Sequence, residues 1–154
     1  MLVSEILRIK GSTLFAASPE TSVSEAVHSM ASQDIGSLVV MEKAKLVGML
    51  TFLELIKVLD ERGDQLKTMT VGEIMERDPL TADPAMDVQQ LRKSMLERHA
   101  RYIPVMEGNM LMGVVSFHDV AKAVFEEQSF EHRMLKRYIK NWPDEEETAA
   151  QPLN

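Results

Sequence analysis

Residues 46–54 read LVGMLTFLE and residues 111–119 read LMGVVSFHD, so one pattern occurs twice at an offset of 65 positions. Each copy has an apolar run containing a glycine, then a hydroxyl residue and, three positions later, an acid. The apolar run predicts a buried strand, and the hydroxyl with its acid is typical of a helix N-terminus. This repeated junction between strand and helix is the strongest indication of the fold in the sequence.

The repetition extends well beyond the two junctions. Between Ser18 and Glu61, 12 of 44 positions are identical to those 65 residues later, where chance would give roughly 3 for ordinary composition. An offset of 68 aligns Val3 with Val71, so the first copy carries three extra residues near Lys10. Repetition on this scale predicts two copies of one supersecondary unit.

Each copy predicts the order strand, helix, strand, strand, helix. Apolar residues recur along the first helix of copy one at i, i+3, i+4, i+7 and i+8, starting from Val23. Two strands separated by a short polar turn follow in each copy, which predicts a hairpin. Pro104 within one of these strands indicates a sheet edge or a bulge. The predicted strands are 14–17, 37–41 and 45–50 in copy one, and 79–82, 102–106 and 110–115 in copy two.

A unit of this size buries its sheet poorly when alone, so the copies are expected to pack into one pseudo-symmetric α/β (α+β) body. We expect the first repeat at 1–62 and the second at 63–126. Phe130, Met134, Tyr138 and Trp142 recur every four residues and predict a C-terminal amphipathic helix at 127–143. Docking of this helix on its own module or on a dimer mate is favoured over a free partner-binding helix. The acidic segment 144–154 is expected to be disordered.

Composition excludes several classes of function. A net charge of −7, from 24 acids against 17 bases, argues against binding to nucleic acid. No apolar run reaches the roughly 20 residues that span a bilayer, and no secretory signal is visible at the N-terminus. With zero cysteines and four histidines without metal-ligand spacing, neither a disulfide framework nor a transition-metal site is expected. We therefore expect a cytoplasmic protein with no membrane partner, no metal and no catalytic residues.

The hydroxyl and the acid at each junction have two interpretations. They form the spacing of a capping box, which would be the favoured interpretation for a single occurrence. A helix N-terminus also binds phosphate, and an acid one turn further can accept hydrogen bonds from a ribose diol. Recurrence at equivalent points of a duplicated fold strengthens the second interpretation.

The duplicated unit resembles a tandem pair of CBS (cystathionine-β-synthase) domains. The resemblance rests on the Gly-x-x-Ser/Thr-x-x-acid pattern after the last strand, and on the stretch YIPV at 102–105, over roughly residues 3–125. It implies a module with two clefts for adenosine-containing ligands: AMP, ADP or ATP, with NAD or S-adenosylmethionine as further possibilities. It also implies regulation of another protein, whose identity the sequence does not give, rather than catalysis.

The resemblance assigns residues from both copies to each cleft. In the first cleft Ser116 would face phosphate, Asp119 the ribose diol, and His118 either phosphate or solvent. In the second cleft Glu54 replaces the usual aspartate and Leu53 offers no polar contact, so the first cleft is expected to bind more tightly. The remaining residues implied for the adenine slot of the first cleft are Ala16, Ile35, Gly36 and Ser37, and those implied for the second cleft are Thr51, Thr81, Ala100, Arg101 and Tyr102.

Two hypotheses of different class follow. The first is an adenine-nucleotide sensor that changes conformation on binding its ligand and controls a partner. The second is an interaction scaffold with degenerate clefts, acting through the C-terminal helix. For either, the apolar helix faces predict a homodimer with two-fold symmetry.

Overall fold

The computed structural model describes residues 1–11 and 13–141. Trp142 and the acidic segment 144–154, both subjects of sequence-based predictions, lie outside the described residues. Within the described ranges, none of the helices combines the length and the hydropathy that a bilayer span requires.

The described elements follow the predicted order in the first repeat. In the second repeat the predicted helix, hairpin and helix are present, and a further helix precedes the predicted elements of each repeat. Most helices begin at a capping residue: the Ser22 hydroxyl accepts from the Glu25 amide, and the Asp87 carboxylate accepts from the Gln89 amide. The first repeat contains α1 (Val3–Lys10), β1 (Ala16–Ala17), α2 (Val23–Gln33), β2 (Ser37–Glu42), β3 (Lys45–Thr51) and α3 (Phe52–Arg62). A 3₁₀ turn (Gly63–Thr68) leads to α4 (Val71–Ile74), β4 (Glu76–Arg77), α5 (Val88–Arg98), β5 (Tyr102–Glu107), β6 (Met110–Ser116) and α6 (Phe117–Lys140).

The strands form two sheets. The first has the order β1-β2-β3-β4, in which β1 runs parallel to β2 and the other neighbours are antiparallel. The second is the β5–β6 hairpin, extended by a single parallel bridge from Ala82 to Val105. That bridge corresponds to the pairing of Ala17 with Val40 in the first repeat.

Pro104 explains why the strand predicted at 79–82 shrinks to one bridge. In the first repeat the Val39 amide donates to the Phe15 carbonyl at 3.1 Å, and Pro104 stands at the position equivalent to Val39. Proline has no amide hydrogen, so this ladder bond cannot form in the second repeat. The β5–β6 register also shifts between Val105 and Met106, which places the proline beside a bulge and near an edge.

The hydrophobic interior divides into two clusters, and each contains a helix from the other repeat. Val3 and Ile6 of α1 pack with Val88, Ile103 and Val115 of the second repeat. Reciprocally, three residues of the α4 segment, Val71, Ile74 and Met75, join the interior of the first repeat. The two repeats therefore complete each other's cores and form one interlocked body.

The C-terminal helix expected at 127–143 is not a separate element. Phe117–Lys140 forms one uninterrupted 24-residue helix, because no glycine or proline lies between the end of the repeat and Lys140. Its first turns are buried through Val120, Ala123 and Val124, whereas the side chains beyond residue 130 are exposed. The second half of α6 thus extends past the core that holds the first half.

Candidate functional site

The first cleft is a cavity of about 490 Å³ between the two repeats. Its wall in the first repeat is the turn after α2, where Ile35, Gly36 and Ser37 lead into β2. Its wall in the second repeat is the junction of β6 and α6, where Ser116 and His118 line the cavity. The structure therefore brings together five of the residues that the sequence predicts for this cleft.

Asp119 lies one turn into α6 and contacts the cavity lining. Its Oδ2 accepts a hydrogen bond from the Ser116 amide at 2.9 Å, and its own amide donates to the Ser116 hydroxyl at 3.0 Å. These two bonds form a capping box, and at the same time they hold the hydroxyl and the carboxylate at the helix N-terminus. The capping and ligand-binding interpretations thus use the same side chains.

A lysine that the sequence did not predict completes this site. Lys10, the last residue of α1, donates from Nζ to Asp119 Oδ2 at 2.7 Å and to the Val114 carbonyl at 2.9 Å. Partial burial alone would raise the pKa of Asp119. The bonds from Lys10 and Ser116 outweigh burial and hold this pKa below its usual value. The carboxylate is therefore ionised and paired at neutral pH.

The second cleft is larger, about 920 Å³, and lies on the other side of the interface between the repeats. Five of the six residues that the resemblance implies for this cleft line it: Thr51, Glu54, Ala100, Arg101 and Tyr102. Here Glu54 Oε1 accepts from both the amide and the hydroxyl of Thr51, at 2.7 and 2.8 Å. The longer acid thus folds back onto its own helix cap.

Three predicted residues lie just outside the cavities: Asp119, which is bonded to the lining residues Ser116 and Lys10, and the strand residues Ala16 and Thr81. Ala16 and Thr81 do not line either one, whereas the residue before each, Phe15 and Leu80, does. Successive residues of an extended chain point to opposite sides, so a shift of one position exchanges the side that faces the cavity. Phe15 and Leu80 were missed by the sequence-based assignment.

Five acids and four bases (Lys57, Arg62, Arg98 and Arg101) line the second cleft. Partial burial, together with the neighbouring charge of Glu54, raises the pKa of Glu76, and Lys57 opposes this shift only partly. The acids that line this cavity are Glu54, Glu61, Glu73, Glu76 and Asp78. Within the described residues, no group of three or more His, Asp or Glu side chains is arranged to hold a metal ion.

The raised pKa of Glu76 predicts a stabilising substitution. Folding disfavours the ionised form of Glu76, so its favourable contribution to the free energy of unfolding is fully present only while the side chain is protonated in both the folded and the unfolded state. That contribution is lost as the pH rises through the raised pKa of the folded state. Glu76→Gln is therefore expected to raise the melting temperature at pH 7, and the difference is expected to shrink near pH 4. Thermal denaturation at both pH values measures this effect.

Glu61→Gln is the control, because Glu61 is an exposed acid of the same cavity. Equal stabilisation by both substitutions would mean that general charge repulsion, rather than the site of Glu76, is responsible.

Comparison with known proteins gives a consistent assignment of the fold. The family model described as CBS domain matches residues 3–61 and 71–126. The CBS domain-containing protein CBSX3, mitochondrial, from Arabidopsis thaliana is 31% identical over 147 residues, which cover 89% of this chain and 71% of that protein.

Solved structures agree with this match. The CBS-domain-containing protein ATU1752 from Agrobacterium tumefaciens superposes with a TM-score of 0.77 at 27% identity, over 80% of this chain and 98% of that one. The crystal structure of CBSX2 in complex with AMP superposes with a TM-score of 0.70 at 23% identity, over 82% and 98% of the two chains. At that identity the second likeness concerns the fold alone.

Proposed function

The chain belongs to the CBS domain family, and on this premise we propose that it is a regulatory module whose first cleft binds AMP, ADP or ATP. One observation carries the proposal. Ser116, at the N-terminus of α6, faces the same cavity as residues 35–37, which the family resemblance assigns to adenine, and Asp119 lies one turn beyond it.

The chemistry of the first cleft suits a nucleotide. Ser116 caps a 24-residue helix whose positive dipole end attracts phosphate. The Phe117 and Asp119 amides already donate to the Arg101 carbonyl and to the Ser116 hydroxyl, so the helix dipole and the Ser116 hydroxyl are the groups proposed to act on a phosphate. Asp119 Oδ2 accepts from the Lys10 ammonium and the Ser116 amide, and the Ser116 hydroxyl also bonds to this carboxylate. A carboxylate has about four acceptor positions, so it can also accept a bond from a ribose hydroxyl. A cavity of about 490 Å³ falls within the usual range for small-ligand sites.

AMP is the first ligand to test. The CBSX2 complex contains AMP in a protein of the same fold, which supports this choice. NAD and S-adenosylmethionine carry the same adenosine group and belong in the same panel.

We propose that ligand binding acts through the wall that the two clefts share. Arg101, Tyr102 and Phe117 line both cavities, so a ligand in either one contacts the same side chains. A change at this wall would alter the surface that a regulated protein recognises. In this proposal the module is not itself an enzyme, and it works in the cytoplasm, consistent with a chain that lacks cysteine.

Thermal denaturation with a ligand panel tests the proposal. A ligand that binds only the folded state stabilises it by about 2.7 kcal/mol at 100 times its dissociation constant. We expect AMP, ADP or ATP to raise the melting temperature. Inosine monophosphate is the control, because it differs from AMP only in its base. Mass spectrometry of molecules released from the purified protein provides an independent measurement.

If no adenosine compound stabilises the protein and none copurifies, the scaffold hypothesis replaces this proposal. The exposed apolar side chains of α6 favour that second candidate, because they form a surface suited to protein contact.

We also propose that the protein is a homodimer. The second half of α6 exposes large apolar side chains: Phe130, Met134, Leu135 and Ile139 are each 46–62% exposed. On α3 of the same chain, Ile56 is 61% exposed. A second copy can cover these faces with a two-fold interface, in which each contact occurs twice.

Light scattering is expected to give about twice the chain mass of 17.4 kDa. Phe130→Ala is expected to raise the dissociation constant of the dimer by about 10-fold, because the substitution removes the ring from both subunits of a two-fold interface. Lys136→Ala, an exposed polar position on the same helix, serves as the control. A wild-type mass of 17.4 kDa at micromolar concentration would rule out the dimer.

A further inference from the structure

Lys10 is the last residue of α1 in the first repeat, and it contacts the N-terminal turn of α6 in the second repeat. Its side chain is 40% exposed, and its ammonium contacts the 20%-exposed side chain of Asp119 at 2.7 Å. Lys10 lines the first cavity together with Ser116 and His118. The cation therefore lies beside both the hydroxyl proposed to face phosphate and the carboxylate proposed to bind ribose.

The residue aligned with Lys10 in the second repeat is an acid, although four bases also line the second cavity. The offset of 68 aligns Leu7 with Met75, and these side chains approach equivalent glycines, Gly113 and Gly48. The same offset aligns Lys10 with an acid, Asp78, which lines the second cavity. The backbone differs as well, because α1 has eight residues and ends at Lys10, whereas α4 has four and gives way to β4 before Asp78.

We propose that Lys10 is the residue that makes the first cleft select phosphorylated adenosine over unphosphorylated adenosine, an inference that rests on the proposed function. A phosphate bound at the start of α6 gains a charge-assisted hydrogen bond from the nearby ammonium. The four-carbon side chain of lysine is flexible enough to turn from Asp119 toward that phosphate.

An uncharged nucleoside gains nothing from the ammonium and competes with it for the carboxylate. Lys10 already occupies Asp119 Oδ2, so a ribose diol that needs both oxygens must displace it. With AMP the displaced ammonium acquires a new anionic partner, but with adenosine it does not. Both effects favour the nucleotide.

Calorimetric titration of AMP and adenosine into the wild type and Lys10→Gln tests this selectivity. We expect the ratio of AMP affinity to adenosine affinity to fall about 10-fold in Lys10→Gln, since a hydrogen bond to a charged group is lost for AMP alone. Lys10→Arg keeps the positive charge and is expected to retain most of the ratio. Arg8→Gln is the matched control, because it removes a cation from an exposed position of α1 that is paired with Glu5.

The outcomes separate this inference from the function on which it rests. If the wild type binds neither ligand, the proposed function fails and the role of Lys10 fails with it. If the wild type binds AMP but Lys10→Gln leaves the ratio unchanged, only the role of Lys10 is overturned. Equal weakening of both ligands also overturns it, because that result would mean that Lys10 merely positions Asp119.

Discussion

Ile6→Ala is expected to lower the free energy of unfolding by about 2–5 kcal/mol. Ile6 is 5% exposed and lies in the cluster built from the second repeat, so its truncation leaves a cavity in that core. The damage should therefore appear in the second repeat, although Ile6 belongs to the first in sequence. Denaturant unfolding measures the size of the effect, and native-state hydrogen exchange locates it.

Ile9→Ala provides the matched control for this prediction. Ile9 lies on the same helix and is 72% exposed, so its truncation removes the same atoms without opening a cavity. We expect exchange protection to fall in α5, β5 and β6 for Ile6→Ala. Loss of protection confined to α2 and β2 would contradict the interlocked arrangement, as would equal destabilisation by both substitutions.

Asp119→Ala is expected to weaken AMP binding by about 10-fold to 100-fold. A hydrogen bond to a charged group contributes about 1.5–3 kcal/mol, and the carboxylate is proposed to accept one or two such bonds from ribose. Glu54→Ala is expected to do less, because Glu54 lines the second cleft and not the first, where AMP is proposed to bind. Calorimetric titration of AMP into the wild type and the two variants measures both effects.

The same pair of variants separates ligand binding from helix capping. Both acids complete capping boxes, so each substitution is expected to lower the melting temperature slightly. If capping were their only role, all three proteins would bind AMP equally. A selective loss in Asp119→Ala is the result that capping cannot produce.

Most of the fold could be predicted from the sequence because its determinants are local. The stripe that begins at Val23 marks α2, and the hydroxyl–acid pairs mark the starts of α3 and α6. The exchange of α1 and α4 between the two cores could not be predicted in this way. Apolar side chains at Val3 and Ile6 indicate that α1 is buried, but not which sheet covers it.

The candidate site also has a part that could be predicted from local sequence and a part that depends on distant contacts. Ser116 and Asp119 could be identified because they are three residues apart in a repeated pattern. Lys10 could not, because its contact with Asp119 spans 109 positions in the chain. The three extra residues of the first copy were the only signal near Lys10 in the sequence. They indicated that the repeats differ there, but not that a cation lies beside Asp119.

A crystal structure of the protein grown with AMP tests the proposed function most directly. We predict that AMP occupies the first cleft, with adenine against residues 35–37, ribose hydroxyls on the Asp119 carboxylate and phosphate at Ser116. AMP bound away from this cleft, or an empty first cleft at saturating AMP with the Lys10–Asp119 pair intact, would contradict it.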